Sequence, residues 1–271
     1  MTSFRHKLKA AWWRRRGSVP HAAGANAARW LAIRQALETP SYGANDPGID
    51  ERVVEYAWLF DRMRELKTAG GRVLDAGSVL NYRPLIEGWR KAAYPPVSII
   101  TLAYEGHAFP STDVSYEFGD LRRLPYRDEW FANVLCLSTI EHVGLDNRIY
   151  GASTEQTSNP TREAVRALQE LQRVLRRGGT LLLSVPFGRS SNRGWFRVFD
   201  SRDLEPLLSA PGWETPQVRY FRSMREGWRE TTGAEAESAG YNEPPGRPGQ
   251  RTSPPWVAGA EAVALVEMRR E

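Results

Sequence analysis

Apolar residues follow two different periods in the central part of the chain. They recur at helical spacing over residues 50–67, 83–92 and 161–177, which predicts three amphipathic helices. Between and after these helices they form short continuous runs, which are typical of strands buried on both faces. The runs lie at residues 73–75, 97–102, 133–137, 180–185 and 262–266, with a weaker one at 116–118. We therefore predict an α/β fold, a doubly wound and mostly parallel sheet with helices on both faces.

Two regions of the chain lack both periods. Residues 1–48 consist of a basic N-terminal segment and a linker that contains Pro40 and Pro47. The alternatives for residues 1–20 are a tail with local helix, a helix at a membrane surface, and a contact with a protein partner or nucleic acid. Residues 226–255 are rich in Gly, Pro, Ser and Glu, and predict a long loop before the last strand. We expect residues 49–271 to form one domain.

The composition excludes several classes of protein. The chain has 271 residues, of which 41% are hydrophobic and 25% are charged, values typical of a soluble globular protein. No run of about 18 apolar residues is present to span a membrane, and no apolar segment of a secretory signal follows the basic N-terminus. We expect a cytoplasmic protein, peripheral to a membrane if residues 1–20 bind one. The single Cys136 excludes an internal disulfide, and we predict no metal site.

The net charge of +5 comes from the N-terminal segment. Residues 1–40 contain eight Lys or Arg residues and one acid, a net charge of +7, which leaves −2 for the other 231 residues. A slightly acidic domain gives no reason to expect DNA as a partner.

Three polar turns follow the predicted strands. Asp75 ends the first strand, and Gly77 in the next turn lets the backbone approach a ligand closely. Gly119 and Asp120 follow the third strand, and residues 137–142 end the fourth in a polar loop. Because ligands of doubly wound sheets bind outside the carboxyl ends of the strands, these turns predict one ligand site.

In this order and spacing, and with the helix exit at residues 173–179, the turns resemble the class I S-adenosylmethionine-dependent methyltransferases. The resemblance extends from about Asp50 to Phe187 and is closest to the bacterial small-molecule and glycan-modifying type. It implies a Rossmann-like sheet of seven strands, one of them antiparallel. It also implies S-adenosyl-L-methionine as the cofactor, and methyl transfer to an oxygen or nitrogen of a small molecule or sugar.

The resemblance further implies which residues contact the cofactor. Asp120 would accept a hydrogen bond from the adenine amino group. Family members carry an acid for the ribose at the end of the second strand, where this chain has Ala103, so Glu105, two residues later, is the candidate to replace it. The remaining contacts are implied for the methionine part and the floor of the site: Asp75, Ala76, Gly77, Ser78, Leu121, Leu137 and Ser138.

His142 is the candidate general base. Histidine titrates near neutral pH, and this residue lies in a predicted ligand-facing loop. The alternative is that Glu141 and His142 only support the loop through hydrogen bonds.

Two other functions stay open at this point. A catalytically inactive relative that serves as a binding or assembly partner is favoured by Ala103, and by Leu80 in a stretch where the family usually has a second glycine. An RNA or protein methyltransferase is the other. A nicotinamide-dependent oxidoreductase is disfavoured, because the first turn lacks the Gly-x-Gly-x-x-Gly pattern.

Overall fold

The computed structural model describes residues 23–39, 50–66, 70–151, 157–224, 227–241 and 259–271. The helices are α1 (Ala23–Glu38), α2 (Arg52–Leu66), α3 (Arg83–Lys91), α4 (Pro160–Val174), α5 (Ser201–Leu208) and α6 (Gly233–Ala236). The strands are β1 (Val73–Ala76), β2 (Val97–Thr101), β3 (Val114–Phe118), β4 (Phe131–Leu137), β5 (Leu175–Pro186), β6 (Ser191–Asn192), β7 (Arg197–Val198), β8 (Gln217–Met224), β9 (Gly227–Thr231) and β10 (Ala262–Arg269). Two short 3-10 helices, Ile140–His142 and Arg148–Tyr150, follow β4.

Eight of the strands form one sheet in the order β3-β2-β1-β4-β5-β10-β8-β9. Strands β3, β2, β1, β4 and β5 are parallel. Strand β10 is antiparallel to both β5 and β8, and β9 is antiparallel to β8. The chain runs outward from β1 to β3 on one side and from β4 to β5 on the other. Doubly wound sheets bind ligands where the strand order reverses in this way, here between β1 and β4.

Helices cover both faces of the sheet, as the sequence predicted. On one face α4 and α5 pack through residues such as Leu168 and Leu204. On the other face α1, α2 and α3 pack through residues such as Ile33 and Trp89. Cys136 of β4 is fully buried beneath α4, where burial raises the pKa of its thiol. The cysteine therefore acts as a small hydrophobic core residue.

Helix α4 ends earlier than its sequence pattern predicted. The pattern extends to Arg177, but the helix stops at Val174 because Leu175 already pairs with Phe131 in the parallel ladder. The pair Gly178-Gly179 lies inside β5, where the register between β4 and β5 shifts. The two glycines therefore accommodate an irregular strand and do not end the helix.

The prediction of a loop over residues 226–255 was wrong in its first part, because this segment contains a strand. The sheet therefore has eight strands, where seven were expected. Residues 227–231 form β9, which pairs with β8, and α6 follows directly. The segment is anchored by Trp228, which is 1% exposed and packs into the core that includes Phe221. One buried tryptophan among Gly, Ser and Glu produces no periodic signal. The rest of this predicted loop, from residue 242, lies outside the described residues.

Helix α1 was not predicted, yet it packs into the domain. Ile33 and Ala36 are buried, and Arg64 of α2 donates a hydrogen bond to the carbonyl oxygen of Leu37 at 2.9 Å. Gly88 lets α3 come close, since a Cβ there would stand 2.6 Å from a methyl group of Leu37. The N-terminal segment therefore contributes to the core well before residue 49.

No helix among the described residues is both long and apolar enough to cross a bilayer. The predicted membrane or protein contact of residues 1–20 falls outside the described ranges and stays a prediction.

Candidate active site

A cavity of about 550 Å³ lies at the carboxyl ends of four parallel strands. Gly77 and Ser78 line it after β1, Glu105 after β2, Asp120 after β3 and Ser138 after β4. The three polar turns that the sequence singled out therefore meet at one cavity. Leu121 and His142, also predicted as site residues, lie on its wall as well.

Three of the predicted site residues lie beneath the cavity and not on its wall. Asp75, Ala76 and Leu137 are all fully buried. The carboxylate of Asp75 accepts hydrogen bonds from the backbone N–H groups of Val79, at 3.1 Å, and Leu80, at 2.8 Å. Burial raises the pKa of Asp75 to about 7, although the two N–H groups act in the opposite direction. Asp75 therefore fixes the turn after β1 from below.

That turn lies tightly against the loop after β4. Gly77 has a φ of +133°, and a Cβ at this position would stand 2.0 Å from Oγ1 of Thr139. Ser78, the next residue, has a φ of +65°. A side chain at position 77 would clash with Thr139. The close approach of the turn after β1 to the loop after β4 therefore depends on Gly77.

Glu105 is drawn back toward the sheet by three hydrogen-bond donors. Its Oε2 accepts from Oγ of Ser78 and from Nδ2 of Asn81, both at 3.0 Å, and its Oε1 accepts from Oγ1 of Thr101 at 3.2 Å. These contacts place the carboxylate at the end of β2, on the cavity wall. A carboxylate is thus present at this strand end although Ala103 occupies the position that the resemblance assigned to an acid.

Arg122 holds the carboxylate of Asp120 and joins it to α4. Nη2 of Arg122 donates to Oδ2 of Asp120 at 2.6 Å, and Nη1 donates to Oε2 of Glu163 at 2.8 Å. Burial tends to raise the pKa of Asp120, but the hydrogen bonds from Arg122 outweigh it and lower the pKa. Asp120 is therefore an ionised acceptor on the cavity wall, beside the largely buried Leu121.

A buried charged cluster supports the wall on the side of α2. Glu55 is fully buried, and its Oε2 accepts from Nη1 of Arg52 at 3.0 Å. Its Oε1 accepts from the hydroxyl groups of Ser138 and Ser184, both at 2.5 Å. Nη1 of Arg52 also donates to the carbonyl oxygen of Leu137 at 3.3 Å, and Arg52 lines the cavity. The cluster ties α2 to the ends of β4 and β5.

Arg52 and Glu55 were not predicted from the sequence as site residues. The one available signal was the position of Glu55 between Val54 and Tyr56, on the apolar side of a predicted helix. An acid in such a position needs a buried partner, because an unpaired carboxylate is rarely buried.

His142 is held in one orientation at the cavity wall. Its Nδ1 lies 2.8 Å from the carbonyl oxygen of Trp195. A carbonyl oxygen only accepts hydrogen bonds, so Nδ1 carries the proton and Nε2 carries the lone pair. Nε2 lies 3.5 Å from Oη of Tyr150 and 3.8 Å from Oε1 of Glu141. Burial lowers the pKa of His142 to about 4, although the bond to Trp195 opposes this effect, so the ring is neutral near pH 7.

Aromatic rings surround His142. Trp195 stacks on the imidazole at a centroid distance of 5.3 Å, and Tyr150 meets it edge-on, also at 5.3 Å. Phe196 contacts Trp195 at 4.5 Å and Tyr241 at 4.6 Å. Trp195 therefore packs against the candidate base.

The chain is similar to one protein family and to several solved structures. Residues 100–183 match a family described as a methyltransferase domain. Curated proteins gave no match. Among solved structures, the [4+2]-cyclase SpnF is 20% identical with a TM-score of 0.46, over 72% of this chain and 74% of that one. The 1,6-didemethyltoxoflavin-N1-methyltransferase of Burkholderia thailandensis is 15% identical with a TM-score of 0.42, over 77% and 78% of the two chains. An S-adenosylmethionine-dependent methyltransferase of Thermotoga maritima is 16% identical with a TM-score of 0.42, over 81% and 92%.

The family match and the fold agree with what the sequence resemblance implied. The matched residues 100–183 include β3, β4 and α4, together with Asp120 and His142. The strand order β3-β2-β1-β4-β5, with antiparallel β10 beside β5, puts the cavity at the reversal between β1 and β4. Residues 100–183 match the methyltransferase domain family, and the strand order and the cavity agree with the class I S-adenosylmethionine-dependent methyltransferases that the sequence resembles.

Proposed function

We propose that the protein transfers a methyl group from S-adenosylmethionine to an oxygen or nitrogen of a small molecule or sugar, with His142 as the general base. The observation that carries this proposal is the single cavity that joins Glu105 and Asp120 to His142. The two carboxylates suit the nucleoside of the cofactor, and the imidazole suits the acceptor.

The side chains on the cavity wall fit the groups that S-adenosylmethionine presents. Glu105 and Asp120 offer acceptors for the ribose hydroxyl groups and the adenine amino group, and Arg52 offers a cation for the methionine carboxylate. Leu102 and Tyr104 are 37% and 56% exposed although both are large and apolar, and both line the cavity. Exposed apolar side chains in a cleft are typical of a ligand site, here for the flat adenine ring.

The protein contributes position and a proton acceptor. When bound, S-adenosylmethionine supplies an electrophilic methyl carbon on a sulfonium centre. The turns at Gly77 and Ser138 hold the reacting groups in place, which converts a bimolecular reaction into a local one. Because Nδ1 of His142 is occupied by the Trp195 carbonyl, the lone pair on Nε2 is the one that takes the proton from the acceptor.

Binding of S-adenosylhomocysteine tests the cofactor site. We expect wild-type protein to bind it with a micromolar dissociation constant, and Asp120→Ala and Glu105→Ala each to weaken binding about tenfold or more. The reason is that a hydrogen bond to a charged group contributes about 1.5–3 kcal/mol. Isothermal titration calorimetry measures the dissociation constants of the wild type and the variants. Glu87 is an exposed acid of α3, so Glu87→Ala is the control and should keep wild-type affinity. An absence of heat at millimolar ligand would contradict the proposed function.

Two substitutions of His142 separate catalysis from loop support. The amide of His142→Asn can still donate to the Trp195 carbonyl but has no basic nitrogen, whereas His142→Ala loses both functions. With an acceptor that the wild type methylates, we expect kcat to fall about 100-fold or more in both variants, since a general base contributes about 10²–10⁴-fold. S-Adenosylhomocysteine release measures kcat. If His142→Asn keeps wild-type turnover while His142→Ala does not, His142 only supports the loop.

A further inference from the structure

A second polar group lies beside the lone pair of the candidate base. The hydroxyl oxygen of Tyr150 is 3.5 Å from Nε2 of His142, and both side chains line the cavity. Because Nδ1 of His142 donates to the carbonyl oxygen of Trp195, Nε2 only accepts, so the hydroxyl of Tyr150 is the donor in this contact. A hydrogen bond of 3.5 Å is long and weak, so a ligand displaces it at little cost. The cavity therefore presents a donor and an acceptor side by side.

The loop after β4 holds this donor and acceptor together. Tyr150 ends the 3-10 helix Arg148–Tyr150, and its backbone N–H donates to the carbonyl oxygen of Asn147 at 2.9 Å. The side chain of Asn147 donates to the carbonyl oxygens of His142, at 3.1 Å, and Leu145, at 3.0 Å. These bonds tie the short helix of Tyr150 to the one that contains His142. Tyr150 is itself 43% exposed, so its ring has room to turn as a ligand enters.

The groups at this end of the cavity are uncharged near pH 7. Burial lowers the pKa of His142 to about 4, and burial raises the pKa of Tyr150 above its usual value. Burial also raises the pKa of Glu141, whose Oε1 is 3.8 Å from Nε2 of His142, well above its usual value. A neutral imidazole, a phenol and a protonated carboxyl group offer no ionic partner to a charged ligand. The group that binds between Tyr150 and His142 is therefore best uncharged.

We infer that the atom methylated is the oxygen of a hydroxyl group, which binds between Tyr150 and His142. A hydroxyl group has one proton, which it donates to Nε2 of His142, and two lone pairs. Tyr150 donates to one lone pair, and the other attacks the methyl carbon. As the new O–C bond forms, the C–S bond of the sulfonium breaks and leaves its electron pair on sulfur, and the hydroxyl proton passes to Nε2.

An amine fits the same two residues poorly. A protonated amine has no lone pair for the methyl carbon, and a neutral amine has one, which cannot both accept from Tyr150 and attack. Tyr150 is thus a specificity-determining residue that favours oxygen over nitrogen. This inference rests on the proposed function and narrows its acceptors to alcohols, phenols and sugars.

Three uncharged probes of similar shape test the inference: phenol, aniline and anisole, each titrated by calorimetry into the protein saturated with S-adenosylhomocysteine. Phenol donates to Nε2 and accepts from Tyr150, whereas anisole has no proton to donate. The nitrogen lone pair of aniline is delocalised into its ring and accepts poorly. We expect phenol to bind about fivefold or more tightly than either, since one hydrogen bond contributes about that factor. Equal affinities, tighter binding of aniline or anisole, or no binding of phenol would each overturn the inference.

Removal of one hydroxyl group then assigns the contact to Tyr150. Tyr150→Phe keeps the ring, and we expect it to weaken phenol and anisole binding about fivefold and to leave aniline unchanged. Tyr220→Phe removes a hydroxyl group of β8 outside the cavity and is the control that keeps wild-type affinities. Phenol binding that is unchanged or tighter in Tyr150→Phe would mean that Tyr150 only covers the base, and would overturn the inference.

Failure of the proposed function gives a different result. If S-adenosylhomocysteine itself does not bind, the proposed function fails. The same three probes, titrated into the protein alone, then still decide whether Tyr150 and His142 bind a hydroxyl group.

Discussion

Replacing Glu55 by alanine is expected to lower the free energy of unfolding by about 3–5 kcal/mol, the range for removing one partner of a buried ion pair. The carboxylate is fully buried and accepts hydrogen bonds from Arg52, Ser138 and Ser184. Its removal takes the acceptor from two hydroxyl groups and the charged partner from Arg52, which keeps its hydrogen bond to the carbonyl oxygen of Leu137. Urea unfolding followed by circular dichroism measures the change. We also expect binding of S-adenosylhomocysteine to be lost, because Arg52 and Ser138 both line the cavity.

The same helix supplies a matched control. Glu65 also pairs with the arginine three residues before it, Arg62, at 2.7 Å, but its side chain is 68% exposed. Arg62 also keeps a second partner in Glu267, at 2.6 Å. Since exposed ion pairs contribute about 0–1 kcal/mol, Glu65→Ala should change stability by no more than that. Similar losses of unfolding free energy in Glu55→Ala and Glu65→Ala would show that the buried cluster stabilises the protein no more than an exposed ion pair does.

The second prediction concerns Asp75. We expect the folded protein to lose stability as the pH rises, because the buried Asp75 must then ionise. Its pKa is raised from 3.8 to about 7, chiefly by burial, so between these values the folded protein holds a proton that the unfolded chain releases. The stabilisation from that proton is complete below pH 3.8 and is lost as the pH rises through 7. We expect the wild type to lose about 4 kcal/mol relative to Asp75→Asn between pH 4 and pH 7.5. Urea unfolding of both proteins across this range measures the difference.

Asp113 provides the control for that experiment. The hydrogen bond from the hydroxyl of Ser111 lowers the pKa of Asp113, and the charge of Arg90 lowers it to a smaller extent. The stabilisation that Asp113 provides is therefore lost only as the pH falls below about 3.8, its usual value. The difference between wild type and Asp113→Asn should stay flat from pH 4 to pH 7.5. If the stability of the wild type relative to Asp75→Asn instead stays constant or increases from pH 4 to pH 7.5, the N–H groups of Val79 and Leu80 outweigh burial in setting the pKa of Asp75.

The part of the site that follows directly from apolar runs could be predicted from the sequence. Gly77, Asp120 and Ser138 each come just after a strand, and parallel strands bring their carboxyl ends to one edge of the sheet. Glu105 could be named as a candidate but not placed. Its position depends on Ser78 and Asn81, which reach it from a different turn.

The features that the sequence did not predict depend on contacts between segments that are distant in the chain. Glu55 is 83 residues from Ser138 and 129 residues from Ser184 in the chain, so no local pattern connects them. Strand β9 depends on the burial of Trp228 against residues of other elements. Helix α1 was missed for the same reason, because the residues of α2 and α3 that cover its buried side lie far along the sequence.

The burial of Cys136 makes the protein convenient for thiol chemistry. It is the only cysteine in the chain, it is fully buried in β4, and the raised pKa of its thiol keeps it in the unreactive protonated form. The natural sequence therefore behaves as a background without reactive thiols. A cysteine introduced at an exposed position such as Glu87, or on the wall of the cavity at Tyr104, can carry a single fluorescent or spin label without any change to the core.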